Sequence, residues 1–319
     1  MTPSDPCYAG THLCIQFVYL DRSRGDTVPA PEGTLVEGSY QDRDCFIRCW
    51  WTEERSTFVR TNNLGQVILR CPSSSMEKQL RTAYEFLDEY TAVSRSEWYG
   101  PGVRGACPVG WRKVDMVANQ EAFVYGNVRK SVQRAQLLFG KASPRVRVEF
   151  DSGALQDFFG QTSWYDAPLN TISINDDDIW GFLGDGAATQ AHEYGHSYHN
   201  MALGGIGHIY ISSANPSHYF EAYSNGAKAL LEGFAEFFET LVMPGRGDIH
   251  SGVRWPELWY KTLPTGPESE ARVAAYLWDV IDDVNERGSA GEYLPSYDPA
   301  SWGTVNEWNA QEAFDQVQI

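Results

Sequence analysis

His192-Glu193-Tyr194-Gly195-His196 lies inside residues 187–203, a run of good helix formers that closes at Gly204-Gly205. Side chains four apart on a helix share one face, with Cβ atoms about 5–6 Å apart. His192 and His196 can therefore turn both imidazoles toward one ion. Glu193, the neighbour of the first histidine, sits beside such an ion rather than on it, where its carboxylate can take a proton from water. Three fixed residues in a window of five recur by chance, so a structural helix with two histidines also explains the pentapeptide. The surrounding sequence has to decide.

A zinc ion that works on a substrate needs a third protein ligand and one open position. The extended metzincin pattern, His-Glu-x-x-His-x-x-Gly-x-x-His, fails because positions 199 and 202 are His199 and Ala202. Further on, Leu230-Leu231-Glu232-Gly233-Phe234-Ala235-Glu236-Phe237-Phe238 falls in a second helical run, 228–243, closed by Pro244-Gly245. Glu232 and Glu221 are both candidates for the third ligand, Glu221 being the nearer to His196 along the chain.

Three joined features, the alternating strand at 170–175, His192-Glu193-x-x-His196 and Glu232-Gly-Phe-Ala-Glu236, resemble the gluzincin metallopeptidases. That group includes thermolysin-like peptidases and related aminopeptidases, and the likeness covers roughly residues 115–287. The resemblance implies an α+β zincin-type metallopeptidase domain with a mixed sheet and an active-site helix. It implies Zn2+ as cofactor, His192, His196 and Glu232 as its ligands, and Glu193 as the general base. Glu236 matches the carboxylate that orients a ligand histidine, and 170–175 matches the edge strand on which an extended peptide substrate docks. The likeness breaks at one place: the thermolysin pattern has a histidine shortly before a helix like Ala274-Ala275-Tyr276-Leu277, and residues 265–270 contain none. The donor facing a developing oxyanion is then open among His250, Tyr260, Arg272 and Tyr276.

The N-terminal sequence reads differently. From His12 to Cys71, short β-prone runs (12–20, 45–52, 58–60, 67–70) alternate with turn signals such as Pro29-Ala-Pro-Glu-Gly33. These predict a small all-β sandwich over 1–72, and the piece 58–69 resembles the last strand pair of transthyretin-like and carboxypeptidase-regulatory-like modules. Residues 71–75 serve as the linker into a metallopeptidase domain over 73–319, in which helices are expected at 77–93, 121–139 and 268–286.

Composition limits the remaining choices. All six cysteines fall in the first third of the chain, and their spacings do not suit a zinc ribbon, so disulfides in a secreted or periplasmic protein are expected. The N-terminus shows no basic run followed by an apolar core, so no signal peptide is read in it. No apolar run approaches the roughly 18 residues of a membrane span. Residues 1–150 carry a net charge of +2 and residues 151–319 carry −19, which disfavours nucleic acid and anionic membranes as partners and suits divalent metals. Asp176-Asp177-Asp178 lacks the spaced ligands of a calcium loop, and His199, His208 and His218 read as helix-surface or loop histidines. The reading is zinc-dependent hydrolysis of a peptide or protein substrate. The alternatives are a zinc hydrolase of a non-peptide amide or ester and a catalytically silent zincin-fold binding protein.

Overall fold

The structure, a computed structural model, describes residues 6–45, 49–72, 78–93, 97–141, 145–151, 163–175, 179, 186–202, 204, 226–242, 270, 273–274 and 277. The chain divides into two compact units, Met1–Gly126 and Asn127–Ile319. The first is rich in strands and the second in helices, giving the expected α+β class.

The first unit holds β1 (His12–Asp21), β2 (Asp26–Pro29), β3 (Leu35–Cys45), β4 (Cys49–Arg60), β5 (Gln66–Arg70), β6 (Lys78–Glu85), β7 (Thr91–Val93), β8 (Trp98–Tyr99), β9 (Val103–Arg104) and β10 (Trp111–Asp115). In one sheet β10 lies parallel to β1, while β2 and β5 divide the opposite edge of β1 between them, both antiparallel. In the other sheet β3 is flanked by β4 and β6, and β8 and β9 share the far edge of β6.

The two sheets meet through their inward residues: the Phe17 and Tyr84 rings are 5.5 Å apart, and the Tyr40 hydroxyl donates to the Arg70 carbonyl at 2.6 Å. Burying each such large side chain contributes roughly 1.5–3 kcal/mol. Disulfides Cys7–Cys14 and Cys71–Cys107 staple this unit, with Cα separations of 5.6 and 5.9 Å.

The helix expected at 77–93 is not formed. Leu80, Thr82, Tyr84 and Phe86 are buried at a period of two, with the small Ala83 buried between them, and β6 pairs with β3 in the register Tyr40↔Leu80, Gly38↔Thr82 and Val36↔Tyr84. Leu80, Ala83, Tyr84 and Leu87 also satisfy helical spacing, and the open edge of β3 decides between the two. Because β6 and β10 complete its sheets, the first unit extends past the 72/73 boundary expected from the sequence.

Helix α1 (Asn119–Phe139) contains the boundary between the units. Gly140, at φ +64°, ends it, its N–H reaching the Gln136 carbonyl at 3.0 Å. The second unit continues with β11 (Val146–Asp151), β12 (Trp164–Asp166), β13 (Thr171–Asn175), α2 (Gly186–Ala202) and α3 (Gly226–Val242). Of the third expected helix, Glu270, Val273, Ala274 and Leu277 are described, and all four are helical.

β13 pairs parallel with β11 and antiparallel with β12. It is therefore a central strand, and the expectation that 170–175 is an edge open to a peptide is corrected: both of its hydrogen-bonding edges are occupied. Among the described residues no helix is long and apolar enough to cross a membrane.

Candidate metal centre

Helix α2 has two working faces. Tyr194 and Tyr198, fully buried, pack against Phe238 with ring centroids 5.7 and 5.6 Å away, and Phe139 closes on Tyr198 at 5.2 Å. This aromatic layer fixes the rotation of α2 about its axis, which turns His192 and His196 toward α3. The two glycines of the motifs permit the approach. A Cβ on Gly195 would lie 3.1 Å from the Ala235 Cα and 3.2 Å from the Phe238 Cβ. A Cβ on Gly233 would lie 2.5 Å from the Glu270 carbonyl oxygen and 2.6 Å from the Val273 Cβ. Gly195 thus lets α2 meet α3, and Gly233 lets Glu270 and Val273 approach α3.

On this scaffold the His192 and His196 Nε2 atoms approach the same Glu232 oxygen, at 3.4 and 3.2 Å. One ligand atom from each of the three residues lies within 4.8 Å of the others. Ligands 2.0–2.2 Å from a tetrahedral ion stand roughly 3.3–3.6 Å from one another, so the donor set and its spacing fit a divalent metal such as Zn2+. The arrangement, two histidines one turn apart and a glutamate from a later helix, is consistent with a zincin-type site. It also explains the favourable apo electrostatics. Burial opposes charging of His196, but Glu232, Glu193 and Glu270 together raise its pKa above the usual histidine value. Burial would likewise raise Glu232, yet His196 and His192 hold it well below the usual carboxylate range.

Glu193 is buried on α2, close enough to His196 to act on its charge. Away from Glu232, His192 Nδ1 faces Glu236 at 3.5 Å and Glu239 at 3.8 Å. Glu236, expected from the sequence to orient a ligand histidine, stands on this side of His192. Glu239 and Glu270 were not singled out from the sequence. Glu239 had a readable signal, since 232, 236 and 239 follow the i, i+4, i+7 spacing of one helix face. Glu270 had none, because only tertiary packing brings it near His196.

A polar network supports the other side of α2. Asn170, in the left-handed region at φ 48°, accepts from Ser197 and from the Tyr165 hydroxyl, both at 2.8 Å, and donates to the Arg145 carbonyl at 2.9 Å. Tyr165 also accepts from Asn200 at 3.0 Å, and its ring lies 6.5 Å from that of His196. The turn between β12 and β13 is thereby tied to α2. His199 is wholly buried rather than on the helix surface. Its ring stacks on Phe234 at 4.3 Å, neither nitrogen has a hydrogen-bond partner among the described residues, and burial pushes its pKa down to about 3.

Glu221, Asp176 to Asp178, His208, His218, His250, Tyr260, Arg272 and Tyr276 lie outside the described residues. No protein-family model matches this chain, and no curated protein matches it.

Proposed function

We propose that this chain is a zinc-dependent peptidase of the gluzincin type, held by His192, His196 and Glu232 around its metal and using Glu193 as the general base. The observation that carries the reading is the meeting of both histidine Nε2 atoms at one Glu232 oxygen, at 3.4 and 3.2 Å. When bound, zinc supplies a Lewis acid that polarises a carbonyl and acidifies water. Glu193, buried on the same helix and one residue from a ligand, would accept the proton of the attacking water and pass it to the leaving amine. Its burial excludes bulk water and strengthens its electrostatic coupling to the reacting groups.

An extended substrate would find a partner in β12. Among the described residues this three-residue strand pairs only with β13, and its middle residue, Tyr165, stacks beside His196. The strand-rich N-terminal unit is read as an accessory module of the transthyretin-like kind, and disulfides Cys7–Cys14 and Cys71–Cys107 suit an extracytoplasmic protein, secreted or periplasmic. The test is activity on casein and short peptides with and without a chelator, alongside zinc content. Zinc-loaded protein should cleave, chelated protein should not, and Glu232→Ala should lose both zinc and cleavage. Cleavage that survives complete removal of metal would rule the reading out.

A further inference from the structure

We infer that Glu239 is a second positioning carboxylate for the metal ligand His192, acting together with Glu236; this rests on the metal-centre reading above. His192 reaches toward Glu232 with Nε2, which leaves Nδ1 to face the opposite way. Two carboxylate oxygens wait there, Glu236 Oε1 at 3.5 Å and Glu239 Oε2 at 3.8 Å. A neutral imidazole whose Nε2 holds a metal has one N–H, on Nδ1, and that single donor serves one acceptor fully or two in part. With a lone carboxylate the ring can swing about its Cβ–Cγ bond and follow its acceptor. Two acceptors from successive turns of one helix bracket the ring and keep Nε2 aimed at the metal position.

The placement follows from the helix. Glu232, Glu236 and Glu239 stand at i, i+4 and i+7 on α3, so the residue that would bind metal and the two that face Nδ1 share a single face. His192, His196 and His199 repeat the same spacing on α2. Contact moves from Glu239 to Glu232 as α2 advances from His192 to His196, so the two stripes run in opposite senses. Glu236 and Glu239 are both buried, at 7 % and 4 % exposure, where water screens their effect on the imidazole weakly. Each negative oxygen near Nδ1 makes Nε2 a stronger donor to a cation. Glu239 therefore serves both the direction of the ligand atom and its affinity.

The experiment measures zinc dissociation constants by chelator competition, and the visible d–d spectrum after Co2+ substitution, on full-length wild type, Glu239→Gln, Glu239→Asp and Glu236→Gln. Melting of each metal-free protein is followed in parallel. Glu239→Gln, which keeps shape and removes charge, should weaken zinc binding about tenfold and shift the Co2+ spectrum, with the metal-free melting temperature little changed. Glu239→Asp should recover part of the affinity. Wild-type affinity and an unaltered Co2+ spectrum in Glu239→Gln would overturn the inference, whether or not metal-free melting falls. A wild-type chain that binds no zinc would overturn the metal-centre reading and this inference with it.

Discussion

Gly195 of α2 packs against Ala235 of α3 so closely that a Cβ at Gly195 would stand 3.1 Å from the Ala235 Cα. The separation of the two helices, and so the reach from His196 to Glu232, is set at this contact. Gly195→Ala must push α3 back by a few tenths of an ångström and should destabilise the protein by about 1–3 kcal/mol. Gly233→Ala meets a backbone carbonyl at 2.5 Å and should cost more. Thermal melting and zinc affinity of both variants check the order: Gly233→Ala should be the more damaged, and both should bind zinc more weakly than wild type.

His199 carries a distinct acid signature. Its pKa in the fold is pushed down to about 3, against an ordinary value near 6.5 in the unfolded chain. Between those values the unfolded state binds a proton that the folded state refuses, so stability is lost as pH falls from about 6.5 toward about 3, by about 1 kcal/mol per pH unit. His199→Phe keeps the stack on Phe234 and removes the titrating ring. Urea unfolding at pH 5 and pH 8 should show a smaller loss at the acid pH in the variant than in wild type.

The metal-free His196–Glu232 pair behaves oppositely at its two ends. The raised histidine pKa contributes stability below about 6.5 that is lost as pH rises through its folded value. The depressed glutamate pKa contributes stability above its ordinary value, near 4.5, that is lost as pH falls through its folded value. The pair therefore stabilises the apo protein most between about pH 4.5 and 6.5. Glu232→Gln should remove that contribution. Metal-free melting should show the gap between wild type and variant at its widest inside this window and narrowing as pH rises above about 6.5 through the folded histidine value.

The disulfides should differ in weight. Cys71–Cys107 closes a separation of 36 residues and Cys7–Cys14 one of 7. Loop-closure entropy puts their contributions at about 4 and about 2 kcal/mol. Denaturant unfolding of the paired Cys→Ser variants should show the larger loss for the Cys71–Cys107 pair.

Helices α2 and α3 were legible in the sequence because their determinants are local. His192 and His196, and Glu232 and Glu236, are each four apart, and the stops at Gly204 and Pro244 flank good helix formers. Elements whose identity depends on a neighbour were not. The segment 78–85 satisfies two periods at once and becomes a strand because β3 has an edge to fill. The strand at 170–175 was visible as a strand, but its central place depends on β12, three residues long and too short to read beforehand. Asn170 shows how a turn residue acquires a site role: its left-handed backbone turns β12 into β13, and its side chain then reaches Ser197 on α2.

The central claim is tested most directly by Glu193→Gln measured beside wild type for zinc content and for cleavage of casein. The expected result is one zinc per chain in both proteins, with cleavage by wild type and a loss of at least about a hundredfold in the variant. Equal rates for the two proteins, or wild type that holds its zinc and cleaves no peptide, would contradict it.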